Sequence, residues 1–469
     1  MLFNELLFLA LSLTTAFAAP KRRRTEGGSF IVHPVTHKKH TKNPTNELRK
    51  AARKYGWSLD LPSHGGEDGS KPAPLGVSRY DTEPATPNTY RPPGPSRGQT
   101  DGARPLAQKG EAEGDFTPEE TQFLVPVTIG TQTLNVNLDT GSADFWVYNS
   151  RLPSDVQEGH IVYNPDIEGT TFKQIEGASF AITYGDASMA SGIVGTEKVN
   201  IGGAVVEDQA VQLATAVTGF FVDEKDTDGI LGLAFTASNQ VVPEPQKSFF
   251  DNIQASLESP VFTVALRDDI NGSYEFGYTD PDKFDGDLTY VKVLDAGGFW
   301  EVRDEGFTVN GKDIPSAMST MIFGTSRQVT VFQLQKVDFT TNLREDTGTT
   351  LIVMHDEVAE AYYKEIEGAG YSTGVNAYTV PCNTAMPEFG IKFGSKVAAV
   401  PGHQMLYSKE NETHCVGGLQ PNGNEHPQIL GGIFFQAQFA EFRWDTKEIG
   451  VAPHQNLQKV QQPWETMKH

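Results

Sequence analysis

Apolar and polar residues alternate with a period of two through "FLVPVTIG" (residues 123–130) and "TLNVNLD" (residues 133–139), with Gly130 closing the first run. Such alternation turns one face of a strand to a core and the other to water, so the pair reads as a tight hairpin. Residues 179–195, "SFAITYGDASMASGIVG", repeat the theme as strand, small-residue turn and strand, a projecting β-hairpin. Helical spacing is confined to residues 247–257 and 356–367. The pattern predicts a mostly β protein with a few short helices, and its 28 phenylalanines and many short Val/Ile/Thr runs agree.

Before residue 116 the pattern fails. Residues 1–20 hold an apolar run from Leu6 to Leu13 and an Ala-x-Ala ending at Ala16 to Ala18, the layout of an export signal, although Glu5 stands where a Lys or Arg is usual. The run is shorter than the roughly 20 residues a membrane span needs, no later stretch reaches that length, and the polar C-terminus lacks a lipid-anchor signal. Secretion with no membrane partner is the expectation, with an acidic vacuole as another destination. Residues 43–57 read as a short helix between Pro44 and Gly56. Residues 59–114, rich in Gly, Pro, Ser and charge, read as a flexible linker.

Charge divides along the same boundary. Residues 1–60 carry 11 Lys and Arg against 4 Asp and Glu, a net of +7, whereas the remainder carries 27 against 56, a net of −29. A basic leader on an acidic body suggests self-binding rather than nucleic-acid binding. Cys382 and Cys415, the only two cysteines of the 469-residue chain, suit one disulfide in an exported protein, with two buried thiols as the alternative. Asn271-Gly-Ser and Asn411-Glu-Thr are candidate glycosylation sites. No His/Cys/Glu cluster has metal spacing, so neither metal nor cofactor is expected.

A long-range repeat carries the chemistry. Asp139-Thr140-Gly141-Ser142 is followed by Ile230-Leu231-Gly232, and Asp346-Thr347-Gly348-Thr349 by Ile429-Leu430-Gly431, with 93 and 85 positions from aspartate to the last glycine. Each half thus pairs a carboxylate on a tight turn with a later apolar strand ending in Gly. A glycine beside the carboxylate lets the backbone N–H approach it, and the threonine hydroxyl is free to bond the neighbouring lobe. Ser142 and Thr349 are placed to hold the outer carboxylate oxygens. Two carboxyls brought face to face cannot both ionise, so one acts as general base on a shared water while the other, protonated, donates to a carbonyl oxygen.

These motifs, with "ITYGDASMASG", "GSYEFGYTD", "PCNT", "HCVGG" and "ILGGIFFQAQF" ending in "IGVAP", follow one another over residues 116–453. The chain resembles a pepsin-family aspartic endopeptidase, nearest the secreted fungal penicillopepsin/aspergillopepsin type. The resemblance implies two β lobes around a cleft, a flap hairpin, Asp139 and Asp346 as the catalytic dyad, and Tyr184 as the flap tyrosine with Gly185 beside it and Trp146 as its partner. Asp186 would stand where this type accepts a lysine before the cleaved bond. Lys54 and Tyr55 match the end of an inhibitory prosegment helix. The implied organisation is a signal at 1–18, leader and linker at 19–115, lobes at 116–292 and 293–455, and a polar tail at 456–469. It implies a monomer acting on proteins and peptides and restrained by its own propeptide.

The second half departs from the pattern. Met321-Ile322 would supply the apolar strand that leads into the second aspartate, yet about 23 residues, 323–345, intervene, and Glu345 stands where the first half has Leu138. A carboxylate in a packed strand is costly and raises its own pKa. Either the segment is a surface insertion, with the strand rebuilt from residues 340–343, or it is translated intron. A genuine insertion would favour a catalytically inactive peptide-binding protein of the same fold. A glycoside hydrolase is a third possibility, disfavoured because its two carboxyls need unlike surroundings whereas these turns are near copies.

Overall fold

The computed structural model describes residues 123–184, 188–223, 225, 227–267, 272–294, 298–316, 319–324, 351–424 and 427–455, with the backbone of two short strands at 28–32 and 108–110. Within these the chain is built of strands and short helices, as the period-two pattern requires. The first hairpin pairs Leu124–Ile129 with Gln132–Asp139, Ile129 opposite Gln132. Gly130 opens the two-residue turn at φ +59°, a conformation that costs a glycine nothing. Val125, Val127 and Ile129 face Leu134, Val136 and Leu138 in the core.

The first lobe is an eight-stranded sheet in which Lys173–Thr183, Met189–Ile201 and Ala204–Thr218 form the long outer strands. Met189–Ile201 pairs with both neighbours and with Leu124–Ile129, which curls the sheet back on itself. The second lobe holds one five-stranded and two four-stranded sheets. Beneath both runs a seven-stranded sheet with Val261–Ala265, Ser273–Phe276, Gln438–Arg443 and Glu448–Pro453 at its centre. Phe262 stacks on Phe442 at 4.5 Å, and Trp300 meets both rings edge-on. This aromatic layer fastens the two lobes to one base. Gly28–Val32 extends the same sheet, antiparallel to Ser273–Phe276 with Phe30 opposite Phe276, and Gln108–Gly110 lies parallel to it at the edge.

Two helices are shorter than their sequence spacing suggests. Phe249–Ile253 begins late because the Ser248 side chain caps it, accepting from Asp251 N at 3.3 Å, and its last turn tightens into the 3₁₀ segment Gln254–Ser256. Asp356–Lys364 buries Val358, Ala359, Tyr362 and Tyr363 on one face and stops ahead of Gly368, whose φ is +79°. Among the described residues no helix is long and apolar enough to cross a membrane.

Cys382 and Cys415 are joined, with 4.9 Å between their Cα atoms, so the alternative of two free thiols is removed. The bridge clips the ends of Ala377–Pro381 and His414–Gly417, which pair antiparallel. Replacing both cysteines by serine is expected to lower stability by about 3 to 4 kcal/mol, as loop-closure entropy predicts for a loop of this length. Urea unfolding without reductant measures it; a loss below about 1 kcal/mol would mean that strand pairing alone holds this loop closed.

Candidate active site

Asp139 ends the strand Gln132–Asp139, which runs parallel to Gly229–Gly232 with Leu138 opposite Leu231 and Asp139 opposite Gly232. The chain turns through residues 140–144 and returns as Phe145–Val147 on the far side of Gly229–Gly232, Phe145 opposite Leu231. A short central strand therefore separates the two arms of the turn. Backbone bonds lock the turn to it: Gly232 N donates to Asp144 O at 2.8 Å, Leu233 N to Asp139 O at 2.6 Å and Ala234 N to Ser142 O at 2.8 Å. Gly232 is required here, because a Cβ would stand 2.4 Å from Ser142 O and 2.6 Å from Ala143 Cα.

The Asp139 carboxyl is fully buried. Gly141 N donates to its Oδ1 at 2.8 Å and Ser142 Oγ to its Oδ2 at 2.5 Å, so each oxygen has a donor that offsets the loss of water. Thr140 Oγ1 donates to Phe323 O at 2.8 Å, across 183 positions of sequence, and links the turn to the second lobe.

Above the turn, Thr183 pairs with Met189 near the tip of the long hairpin and Tyr184 N donates to Ser188 O at 2.7 Å. Trp146 Nε1 donates to the Tyr184 hydroxyl. Phe221 packs edge-on against both rings, at 4.8 Å from Trp146 and 5.0 Å from Tyr184, and its carbonyl accepts from the Tyr148 hydroxyl at 2.8 Å. Sequence reasoning did not single out Phe221. Its only local signal is Gly219 at φ +65°, pressed so closely against Ser188 that a Cβ would meet Ser188 Oγ at 2.7 Å.

The second lobe reproduces the frame. Thr320–Phe323 runs parallel to Gln428–Leu430, with Ile322 opposite Ile429 and Phe323 opposite Leu430. Ile352–Met354 returns antiparallel on the other side, Ile352 opposite Leu430. Matching Ile230-Leu231 with Ile429-Leu430 sets Phe323 at the station of Leu138 and Ile352 at that of Phe145. The strand thus includes Phe323, one residue beyond the break expected from the sequence. The next station, that of Asp139, falls to Gly324, whose N–H donates to Leu430 O at 3.2 Å. Counted from the returning strand, Asp346 stands six positions before Ile352, as Asp139 stands six before Phe145.

Asp346, Thr347, Gly348 and Thr349 lie outside the described residues, as do residues 340–343, Gly185, Asp186, Lys54, Tyr55 and Asn271. Asn411 is exposed in a turn where its Oδ1 accepts from Thr413 N, Thr413 Oγ1 and His414 N at 2.9 to 3.0 Å. Among the described residues no group of three His, Cys, Asp or Glu side chains could hold a metal.

A buried aspartate on a glycine turn, bonded through its threonine to a second lobe that repeats the same strand frame, defines an aspartic peptidase fold. The eukaryotic aspartyl protease family matches residues 122–454, and the chain belongs to that family. It is 40% identical over 337 residues to aspergillopepsin-1 of Aspergillus oryzae, covering 71% of this chain and 77% of that protein. It is 36% identical over 348 residues to penicillopepsin-1 of Penicillium janthinellum, 74% of this chain and 99% of that one. A chain of Aspergillus fumigatus named for its likeness to aspergillopepsin A is 36% identical over 458 residues, 96% of this chain and 98% of the other. The protein is an aspartic endopeptidase of the fungal pepsin type, with peptides and proteins as substrates.

Thr140→Val keeps the shape of the side chain and removes its bond to Phe323 O. It is expected to cost about 1 kcal/mol and a few degrees of melting temperature, with Thr140→Ser recovering most of the loss. Calorimetry of the three proteins at one pH measures it, and equal melting temperatures would show that the bond adds no net stability.

Proposed function

We propose that Asp139 and Asp346 form the dyad of an acid-active, secreted endopeptidase made as a precursor. The carrying observation is the Asp139 turn: Gly141 N and Ser142 Oγ hold the two carboxylate oxygens while Thr140 is fixed to the backbone that leads toward Asp346. Two such carboxyls share one proton at mildly acid pH. The ionised one draws a proton from water, the water oxygen attacks the peptide carbonyl, and the protonated one donates to the carbonyl oxygen; the departing nitrogen takes a proton from the dyad as the bond breaks. Thr347, Gly348 and Thr349 would serve Asp346 as Thr140, Gly141 and Ser142 serve Asp139. Tyr184, held by Trp146, would cover the substrate with Gly185, and Asp186 would attract a lysine side chain before the cleaved bond.

The basic leader would occupy the acidic body at neutral pH, with Lys54 and Tyr55 over the dyad; protonation of carboxylates weakens that attraction and frees the leader for cleavage. The pairing of Gly28–Val32 with Ser273–Phe276 supports this reading. The mature chain would start between residues 57 and 115, act as a monomer, and carry a glycan on Asn411, whose Nδ2 takes no part in its turn bonds, and on Asn271.

One observation bears on activity itself. The second strand delivers Gly324, not Asp346, to the station of Asp139. Joining Phe323 directly to Asp346 would put the second aspartate in register with the first, so the working enzyme is the chain without residues 324–345, as excision from the message would yield. The same observation favours an inactive peptide-binding protein if the mature message retains the segment. Sequencing cDNA across residues 321–347 separates the two.

With a peptide substrate at about pH 4, the protein lacking 324–345 is expected to cleave after acid activation, to be blocked by pepstatin, and to lose about 10³-fold or more in kcat on Asp139→Asn. Activity that persists in that variant would overturn the dyad. The chain that retains 324–345 is expected to be slower by a similar factor, and equal rates for the two would remove the register argument.

A further inference from the structure

Asp144 is a second carboxyl of the same turn, five residues from Asp139 and buried to 1% exposure between Ala143 and Phe145. Three donors converge on its Oδ1: Gln212 Nε2 at 2.8 Å, Asn239 Nδ2 at 3.0 Å and Gln240 N at 3.0 Å. Its Oδ2 is buried and meets no donor among the described residues. Neither does Oε1 of Gln212, the amide already bonded to Oδ1. Two buried acceptors without donors thus belong to two groups that already touch through their other atoms. Buried acceptors left in this way are destabilising. Turning the Gln212 amide over is no remedy, since it would bring an oxygen against Oδ1 and sacrifice the 2.8 Å bond.

A proton on Oδ2 would turn Asp144 from acceptor into donor, and an acid so protonated can form a closed two-bond pair with a side-chain amide such as that of Gln212, whose Nε2 already bonds Oδ1. We propose that Asp144 is a positioning residue that works as a neutral acid, clamping the turn of Asp139 onto the strand Ala204–Thr218, and that its ionisation releases the turn. The clamp bears on Asp139 through the backbone, because Gly232 N donates to Asp144 O and Leu233 N to Asp139 O. Asn239 Nδ2 reinforces it by also donating to Ala143 O at 3.0 Å.

Among the described residues no counter-charge faces Asp144. The groups that face Asp144 from Ala204–Thr218 and from residues 239–240 are the uncharged Gln212, Asn239 and Gln240, and the ionisable neighbour among the described residues is Asp139, also acidic. Burial foremost, with the Asp139 charge adding to it, raises the carboxyl to about 7 against the bonds from Gln212 and Gln240, which lower it. A carboxyl raised on folding contributes fully below the ordinary carboxylate range, near 3.8, and loses its contribution as pH climbs toward about 7. Over that window each pH unit weakens the folding equilibrium about tenfold through this one group.

The role in positioning a reacting carboxylate rests on the dyad reading, but the test does not require activity. The full-length chain and its Asp144→Asn variant, whose amide supplies the donor that the neutral acid would, are unfolded in urea at several values between pH 4.5 and 6.5. The variant is expected to lack about tenfold of the parent's loss in folding equilibrium constant per pH unit. Parallel slopes would overturn the proposal. Should the variant fail to fold, infrared spectra of the parent decide: a protonated-carboxyl band that persists at pH 6 and vanishes by pH 8 while the protein loses its fold supports it, and its absence at pH 6 refutes it. Persistence of activity or its loss in either protein bears on the dyad and leaves these readouts unaffected.

Discussion

The architecture of the site depends on a close approach that only glycine permits. Gly232 ends a four-residue strand that separates the outgoing and returning arms of the Asp139 turn, with no room for a methyl group between it and Ser142. Every feature of the turn follows from that proximity. The backbone N–H groups of residues 232–234 reach three of its carbonyls, the turn becomes tight enough for Gly141 N to find the Asp139 carboxyl, and Thr140 is left pointing at the other lobe. A polar group as costly to bury as a carboxylate is held within a hydrophobic core because the backbone around it has no freedom to move away.

The second lobe shows how much of this frame is independent of the aspartate. Strands 320–323, 352–354 and 428–430 keep the register of the first lobe on both sides of a 22-residue interruption. Met321, Ile322, Phe323, Ile352 and Val353 of these strands, with Leu351 beside them, are all buried, so this packing is complete among the described residues. Fold and chemistry are therefore carried by different residues within a few positions of each other, and the family match reports mainly on the first.

The elements with local patterns are legible in the sequence. Alternation marked the hairpins, and the repeated Asp-Thr-Gly with its later Leu-Gly pair marked the two frames, because each needs a tight turn and a close approach that restrict residue choice. What escaped is encoded at long range. Phe221 reaches the Trp146 and Tyr184 rings from a separate segment whose sequence is unremarkable. Asp144 lies two residues beyond the Asp139–Ser142 motif, and its partners Gln212 and Asn239 are 68 and 95 positions away and carry no spacing rule. The acceptor for Thr140 is a backbone carbonyl, which any residue at 323 would supply. The strand end at Phe323 rather than Ile322 was invisible because an apolar residue fits either side of the break.

On the proposed maturation, the strand Gly28–Val32 would shape how the leader departs. It is held by backbone pairing to Ser273–Phe276 on one side and to Gln108–Gly110 on the other, and neither set of bonds depends on chain continuity between them. A cut in the intervening residues makes the leader a separate peptide without moving it. Hydrolysis and liberation are then distinct events with distinct clocks. The first is set by the protease that makes the cut, the second by the dissociation of a sheet-edge peptide, and a nicked protein still wearing its leader is a species to look for between precursor and free enzyme.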